Sequence, residues 1–131
     1  MIDPKIIKIA LNTNNYGLKK TFTHESFLKN KKCGDNISIQ IIMKSNKFIS
    51  MRYETNSCIY CQASASLLSK KIKLFNLKNI KRDIDLLINS EKSSSIPKRF
   101  QLFKTLFNQK NMNRIDCIIL PFNALLKALK V

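Results

Sequence analysis

Residues 37–55, ISIQIIMKSNKFISMRYET, decide the fold. Ile37, Ile39, Ile41 and Met43 alternate with Ser38 and Gln40, a period of two that an extended strand turns into one apolar face. Ser45, Asn46 and Lys47 form a turn. Residues 48–55 then alternate again, with Ile49, Met51 and Tyr53 on one side. The stretch reads as an antiparallel hairpin with a single buried face.

Working outward, residues 18–27 contain Thr21, Phe22, Thr23 and Phe27, which favour extended backbone and supply a further short strand. Residues 1–15 read as a leading helix or arm that ends in Asn12, Thr13, Asn14 and Asn15. Beyond the hairpin the period changes. Residues 62–72 are rich in small side chains and then carry Leu67 and Leu68, with Asn56 or Ser57 available as a helix cap. Leu77, Ile80, Ile84, Leu87 and Ile88 recur at helical spacing behind Asn76. Residues 90–95 are a polar loop, and Pro97 can open a third helix with Phe100, Phe103 and Phe107 on one face. Residues 118–130 read as the closing helix, where Pro121 is tolerable only in the first turn. Strands come first and helices follow, without repeats or a long linker. The expectation is a single α+β domain over residues 1–131, a small antiparallel sheet of about three strands with helices packed on one face. At 131 residues the core is just large enough to be stable without disulfides or metal.

The chain carries 24 Lys and Arg against 8 Asp and Glu, a formal charge of +16. Such an excess invites a nucleic-acid reading, because neutralising phosphate is what it does best. A small basic zinc-containing nucleic-acid protein is therefore one alternative. Against it, Lys outnumbers Arg five to one, although Arg is the better bidentate reader of phosphates and bases, and no aromatic stacking motif appears. Lys is abundant together with Asn and Ile, the mark of a compositional bias rather than of a binding face. No run of 18 apolar residues is present, so no membrane span is expected. The first residues lack a long apolar region and a small-residue cleavage site, which makes the cytoplasm the expected location.

Four cysteines remain: Cys33, Cys58, Cys61 and Cys117. In a reducing compartment metal binding or thiol chemistry is a better reading than a disulfide framework, with buried structural cysteines as the alternative. Cys33 falls in the loop before the hairpin, Cys58 in the loop after it, and Cys117 at the start of the last helix. Three cysteines at the ends of different elements can converge on one point. Cys58 and Cys117, close to helix N-termini, are expected to have lowered thiol pKa values.

Three segments carry a resemblance: Cys33-Gly34-Asp35 ahead of a strand; Cys58 followed by Gln62-Ala63-Ser64-Ala65-Ser66-Leu67-Leu68; and Arg114-Ile115-Asp116-Cys117 leading into residues 122–129. In order and spacing they resemble the iron–sulfur cluster assembly scaffolds, the family of the NifU N-terminal domain, IscU and SufU. Where IscU-type members place a His before the last Cys, this chain has Asp116. Its segment between Cys58 and Cys117 is long, so the pattern is closest to SufU-type members.

The resemblance implies a SufE/NifU-like α+β fold and a scaffold that accepts sulfur from a cysteine desulfurase and passes a cluster to apo iron–sulfur proteins. It implies Cys33, Asp35, Cys58 and Cys117 as ligands of Zn2+ or of a transient [2Fe–2S] cluster, with Cys33 and Cys117 as candidate sulfur acceptors. A zinc-dependent SufU-type sulfurtransferase that relays persulfide sulfur is the alternative it leaves open. Gly34 would let the backbone turn tightly enough for Cys33 and Asp35 to face one centre.

Other readings stand beside these. Asp35 can hydrogen-bond its own loop, and Asp116 can be a helix N-cap or a substitute for the missing His ligand. Cys61 matches no ligand position and is either a buried small residue or an auxiliary thiol. His24 reads as a surface or packed residue. Lys98, Arg99, Lys31 and Lys32 are solvated charges, although Lys31 and Lys32 flank the Cys33 loop, where positive charge favours thiolates.

Overall fold

In the computed structural model, which describes residues 2–90 and 96–131, the hairpin is the centre of a three-stranded antiparallel sheet. The strands are β1 (His24–Lys29), β2 (Asn36–Lys44) and β3 (Lys47–Asn56), in the order β1-β2-β3. Four α-helices accompany them: α1 (Pro4–Leu11), α2 (Ile59–Lys70), α3 (Ile80–Ile88) and α4 (Ile115–Leu129). The fold class is the expected α+β. Apart from Ser90, the polar loop expected at residues 90–95 lies outside the described residues.

Ile37, Ile39 and Ile41 are fully buried on the inner face of the sheet, where α2 and α4 pack. The turn between β2 and β3 is tighter than the sequence indicates. Ser45 and Asn46 alone form it, both with positive φ (53° and 63°), and Lys44 pairs with Lys47. Two consecutive left-handed residues make a turn whose twist matches that of the flanking strands. The expected inward set of β3 is corrected by one residue. The register shifts between Ile42, opposite Ser50, and Met43, opposite Phe48, so that Ile49 bulges out of the ladder. Phe48 is buried with Met51 and Tyr53, and Ile49 is exposed, because an extra residue flips the alternation beyond it.

The first strand starts later than expected, at His24, and residues 15–19 run beside the sheet instead. Gly17 N–H donates to Tyr53 O at 2.8 Å and Tyr53 N–H to Asn15 O at 3.2 Å, which covers the free edge of β3. Arg52 donates to Gly17 O and Tyr16 O, and the Gln40 side chain pairs with both backbone groups of Lys19.

Two helices depart from expectation. Residues 98–105 form a 3-10 helix, not an α-helix. Its three-residue turn puts Phe100, Phe103 and Leu106 on one line, and all three are fully buried. Phe100 stacks on Phe75 with ring centroids 5.0 Å apart, and Phe103 meets Phe122 of α4 edge-on at 5.9 Å. The closing helix starts at Ile115, three residues early, which places Pro121 inside it rather than in its first turn.

Cys61 lies in this core, fully buried, with Sγ 3.9 Å from Thr55 Oγ1. Burial pushes its thiol pKa from 9.0 up to about 12. A raised folded-state pKa means that the stability held by the neutral thiol is complete below pH 9 and is lost as pH climbs towards 12. Comparing denaturant midpoints at about pH 8 and about pH 10.5, we expect a smaller alkaline loss in Cys61→Ala than in the wild type. An equal loss would show that Cys61 ionises freely in the folded chain. At the turn, Ser45→Gly relieves a left-handed serine and should raise the unfolding free energy by roughly 0.5–1 kcal/mol, read as a higher denaturant midpoint at unchanged slope.

Candidate metal and sulfur site

The register that pairs Lys29 with Asn36 and Asn36 with Asn56 brings two loops to one end of the sheet. The first, residues 30–35, is a closed turn. Gly34 N–H donates to Asn30 O at 2.8 Å, Asn30 N–H to Asp35 O at 2.7 Å, and Lys32 N–H to Asn30 Oδ1 at 2.9 Å. Gly34 has φ +77°, and a Cβ placed there would touch nothing within 4 Å. Glycine is thus needed for its left-handed backbone and not for space. The second loop delivers Cys58, which occupies the N-cap of α2 itself. The expected caps Asn56 and Ser57 do not fill that position, and no side chain caps the helix.

Cys117 comes from the first turn of α4. Arg114 lies over the Tyr60 ring, 5.7 Å from its centroid, and so ties the start of α4 to the first turn of α2. On the β1 side, Ser26 Oγ donates to Ala124 O at 2.6 Å and Lys127 Nζ to Phe27 O at 2.7 Å.

Three of the four expected ligands converge. One ligand atom each from Cys33, Asp35 and Cys117 lies within 4.8 Å of the other two. Cys58 stands beside this trio and outside its mutual spacing. Its backbone N–H donates to Asp35 Oδ1 at 3.3 Å. Cys33 is exposed, Cys58 half-buried, and Cys117 and Asp35 are 6% and 8% exposed. All four cysteines are free thiols.

Asp35 bears on what this group can hold. Its Oδ1 is used by Cys58, while Oδ2 is buried without a hydrogen-bond partner. A lone buried carboxylate oxygen is costly unless a cation or a proton meets it. Facing thiols, it completes a set of soft sulfur and hard oxygen donors suited to iron or zinc.

The expected lowering of the Cys117 pKa is overturned. Desolvation by burial is the largest cause of a strong rise, and the neighbouring Cys58 and Asp35 add to it. The helix N-terminus acts the other way and is outweighed, because the neutral S–H is the form that can donate to a carboxylate. Cys117 is thus a protonated thiol at neutral pH. A metal that binds it must displace that proton, so affinity rises with pH.

Asp116, weighed as a cap or a substitute ligand, is neither. It lies in the first turn of α4, outside the trio, and its carboxylate meets Lys32 Nζ at 3.8 Å. With these side chains 84% and 55% exposed the pair contributes little stability. It does occupy one of the two lysines expected to face the thiols. His24 Nδ1 is 2.8 Å from Thr23 Oγ1 and has no part in the site. Sequence reasoning missed Asn30, whose side chain shapes the Cys33 loop, and the Arg114–Tyr60 contact. The Asn two residues before Lys32 was a readable turn signal; the contact left no local trace.

The model of the NifU-like N terminal domain matches residues 1–130 of the chain. An uncharacterised protein of Borreliella burgdorferi is 31% identical over 128 residues, covering 96% of this chain and 87% of that protein. Among solved structures, the N-terminal part of a nitrogen-fixing NifU-like protein from Brucella abortus superposes with a TM-score of 0.84. It is 18% identical, with 98% of this chain and 91% of that one covered. FiSufU of the SUF system, from Fervidobacterium islandicum AW-1, gives 0.85 at 19% identity, with 97% and 95% covered. By a match over nearly its whole length, and by a fold it shares with these structures, the chain belongs to the NifU-like N-terminal domain family.

Proposed function

We propose that this chain is an iron–sulfur cluster assembly scaffold, built as one domain over residues 1–131 and working in the cytoplasm, where thiols stay reduced. The observation that carries this reading is the convergence of Cys33, Asp35 and Cys117 within 4.8 Å in a member of the NifU-like family. FiSufU, which shares the fold, is described as a cluster assembly scaffold for the SUF system. Among the described residues no helix is long and apolar enough to cross a membrane.

Iron and sulfide are the cargo of such a scaffold. Cys33, exposed on its loop, is suited to accept sulfur from a cysteine desulfurase, and Cys117 behind it to share it. Cys33, Cys58 and Cys117 then hold iron or a [2Fe–2S] unit, with Asp35 as the fourth donor. A hard carboxylate binds cluster iron less firmly than a thiolate does, so Asp35 is where an apo iron–sulfur protein can enter by ligand exchange.

A second reading is favoured by Asp116 standing where IscU-type members carry a His, and turning to Lys32 instead of the thiols. There the same four residues hold a resident Zn2+, which would keep the thiols ionised, and the chain relays persulfide sulfur.

Anaerobic reconstitution with a cysteine desulfurase, ferrous iron, cysteine and a thiol reductant, which reduces persulfide sulfur to sulfide, tests the first reading. The wild type should develop sulfide-dependent visible absorbance, Cys117→Ser should lose most of it, and Asp35→Ala should keep it but hand the cluster on more slowly. Bound zinc, with faster desulfurase turnover and no cluster, would move the assignment to the relay. If no cluster forms and no cysteine carries persulfide, both readings fail.

A further inference from the structure

The two edges of the sheet are treated differently. Tyr53 turns its N–H and its carbonyl away from β2, to Asn15 and Gly17, so the odd-numbered residues around it point to the covered edge. In an antiparallel ladder hydrogen-bonded pairs alternate with unbonded ones. Arg52, Glu54 and Asn56 therefore bond with Gln40, Ser38 and Asn36, which leaves Ile37, Ile39 and Ile41 to bond with Leu28, Ser26 and His24. The bond from Asn30 N–H to Asp35 O continues the same alternation. Glu25, Phe27 and Lys29 thus present their backbone N–H and carbonyl groups to the open side of β1. Among the described residues only the Lys127 ammonium, 2.7 Å from Phe27 O, meets this row, and it leaves that carbonyl a second lone pair. The side chains of all three are exposed, on the face of the sheet away from the core.

We propose that this edge pairs with the same edge of a second copy of the chain, β1 antiparallel to β1 about a two-fold axis at Phe27, to give one six-stranded sheet. In that register Phe27 opposes its counterpart, and Glu25 of each copy opposes Lys29 of the other. Every free residue of the row gains a doubly hydrogen-bonded neighbour, and each charge meets its opposite on one face. A register centred on Glu25 or on Lys29 would set like charges face to face. The row is self-complementary, as an isologous contact requires. α4 packs over both β1 and β2, so its counterpart lies about two strand spacings away, close to 10 Å, which is room for two packed helices. Each Cys33 loop follows its own Lys29, so the two candidate sites lie at opposite ends of the joint sheet and both stay open. The contact is short and the charge of +16 on each chain opposes it, so the dimer is weak and reversible. Nothing in this inference depends on the ligand assignment.

Sedimentation velocity of the full chain with a thiol reductant, from about 5 to about 500 μM at about 0.15 M salt, tests it. The wild type should pass from monomer to dimer across that range. Lys29→Glu lowers the charge of each chain by two and would tighten any association limited by general repulsion. At this joint it sets two carboxylates opposite each other and should weaken the dimer about tenfold or more, as should Glu25→Lys with two ammonium groups. The double variant Glu25→Lys/Lys29→Glu restores opposite charges in each pair and should return to within about threefold of the wild type. Both side chains are exposed, so neither substitution touches the core. Amide exchange at Glu25, Phe27 and Lys29 should slow with rising concentration more than at Ser26 and Leu28, which are already bonded to β2. The proposal is overturned by a chain that stays monomeric at the highest concentration, or by a Lys29→Glu variant that associates as well as the wild type. A double variant as weak as either single one, or a dimer in which those three amides gain no protection, overturns it equally.

Discussion

Pairing Asn36 with Asn56 across the β2–β3 ladder places Asp35 and Cys58 on the same end of the sheet, one residue and two residues beyond the last pair. The hydrogen bond from Cys58 N–H to Asp35 Oδ1 depends on that register. A slip of one residue would move Cys58 along the strand direction by about 3.3 Å and turn the inner face outward. Three features hold the register: the two left-handed residues of the turn, the bulge at Ile49, and the buried row Ile37, Ile39 and Ile41 against α2 and α4. The chemistry is therefore anchored at the far end of the hairpin from the turn that starts it.

Around this anchor the fold uses short polar links where apolar packing alone would leave freedom. Asn30 closes the Cys33 loop, Arg114 on Tyr60 joins the first turns of α4 and α2, and Ser26 and Lys127 pin α4 to β1. The aromatic cluster of Phe75, Phe100, Phe103, Phe107 and Phe122 packs the long segment between α2 and α4 against the rest. None of these residues is a candidate ligand. Their common effect is to present two buried donors, Asp35 and Cys117, beside an exposed one, Cys33. That gradient of exposure suits a centre that must be reached from outside and still keep what it receives.

Much of the fold was legible because its signals are local. Alternation in residues 37–43 gave β2 its faces, helical spacing marked Ile80, Ile84 and Leu87, and the small-residue run after Cys58 marked α2. The errors have local causes as well. Period-two alternation points Ile49 inward because it takes no account of a bulge, and the Phe100 to Phe107 segment has the spacing of 3.6 residues per turn where the backbone winds at three. Propensity puts Pro121 in a first turn because it penalises proline further in. The helix continues through it from Ile115 to Leu129.

For the site the division is sharper. The sequence by itself determined which side chains can do chemistry here: three thiols and one Asp beside a glycine, at the ends of separate elements. Spacing and residue type are properties of the chain, and they carry the family resemblance directly. Only the tertiary structure decided that Cys33, Asp35 and Cys117 share one centre with Cys58 alongside, that Cys61 is sealed in the core, and that Asp116 turns to Lys32. It also reversed the expected ionisation of Cys117. A helix N-terminus can be read from neighbouring residues, but desolvation and contact with a carboxylate are sums over groups that the fold gathers from 59 and 82 positions away, Cys58 and Asp35.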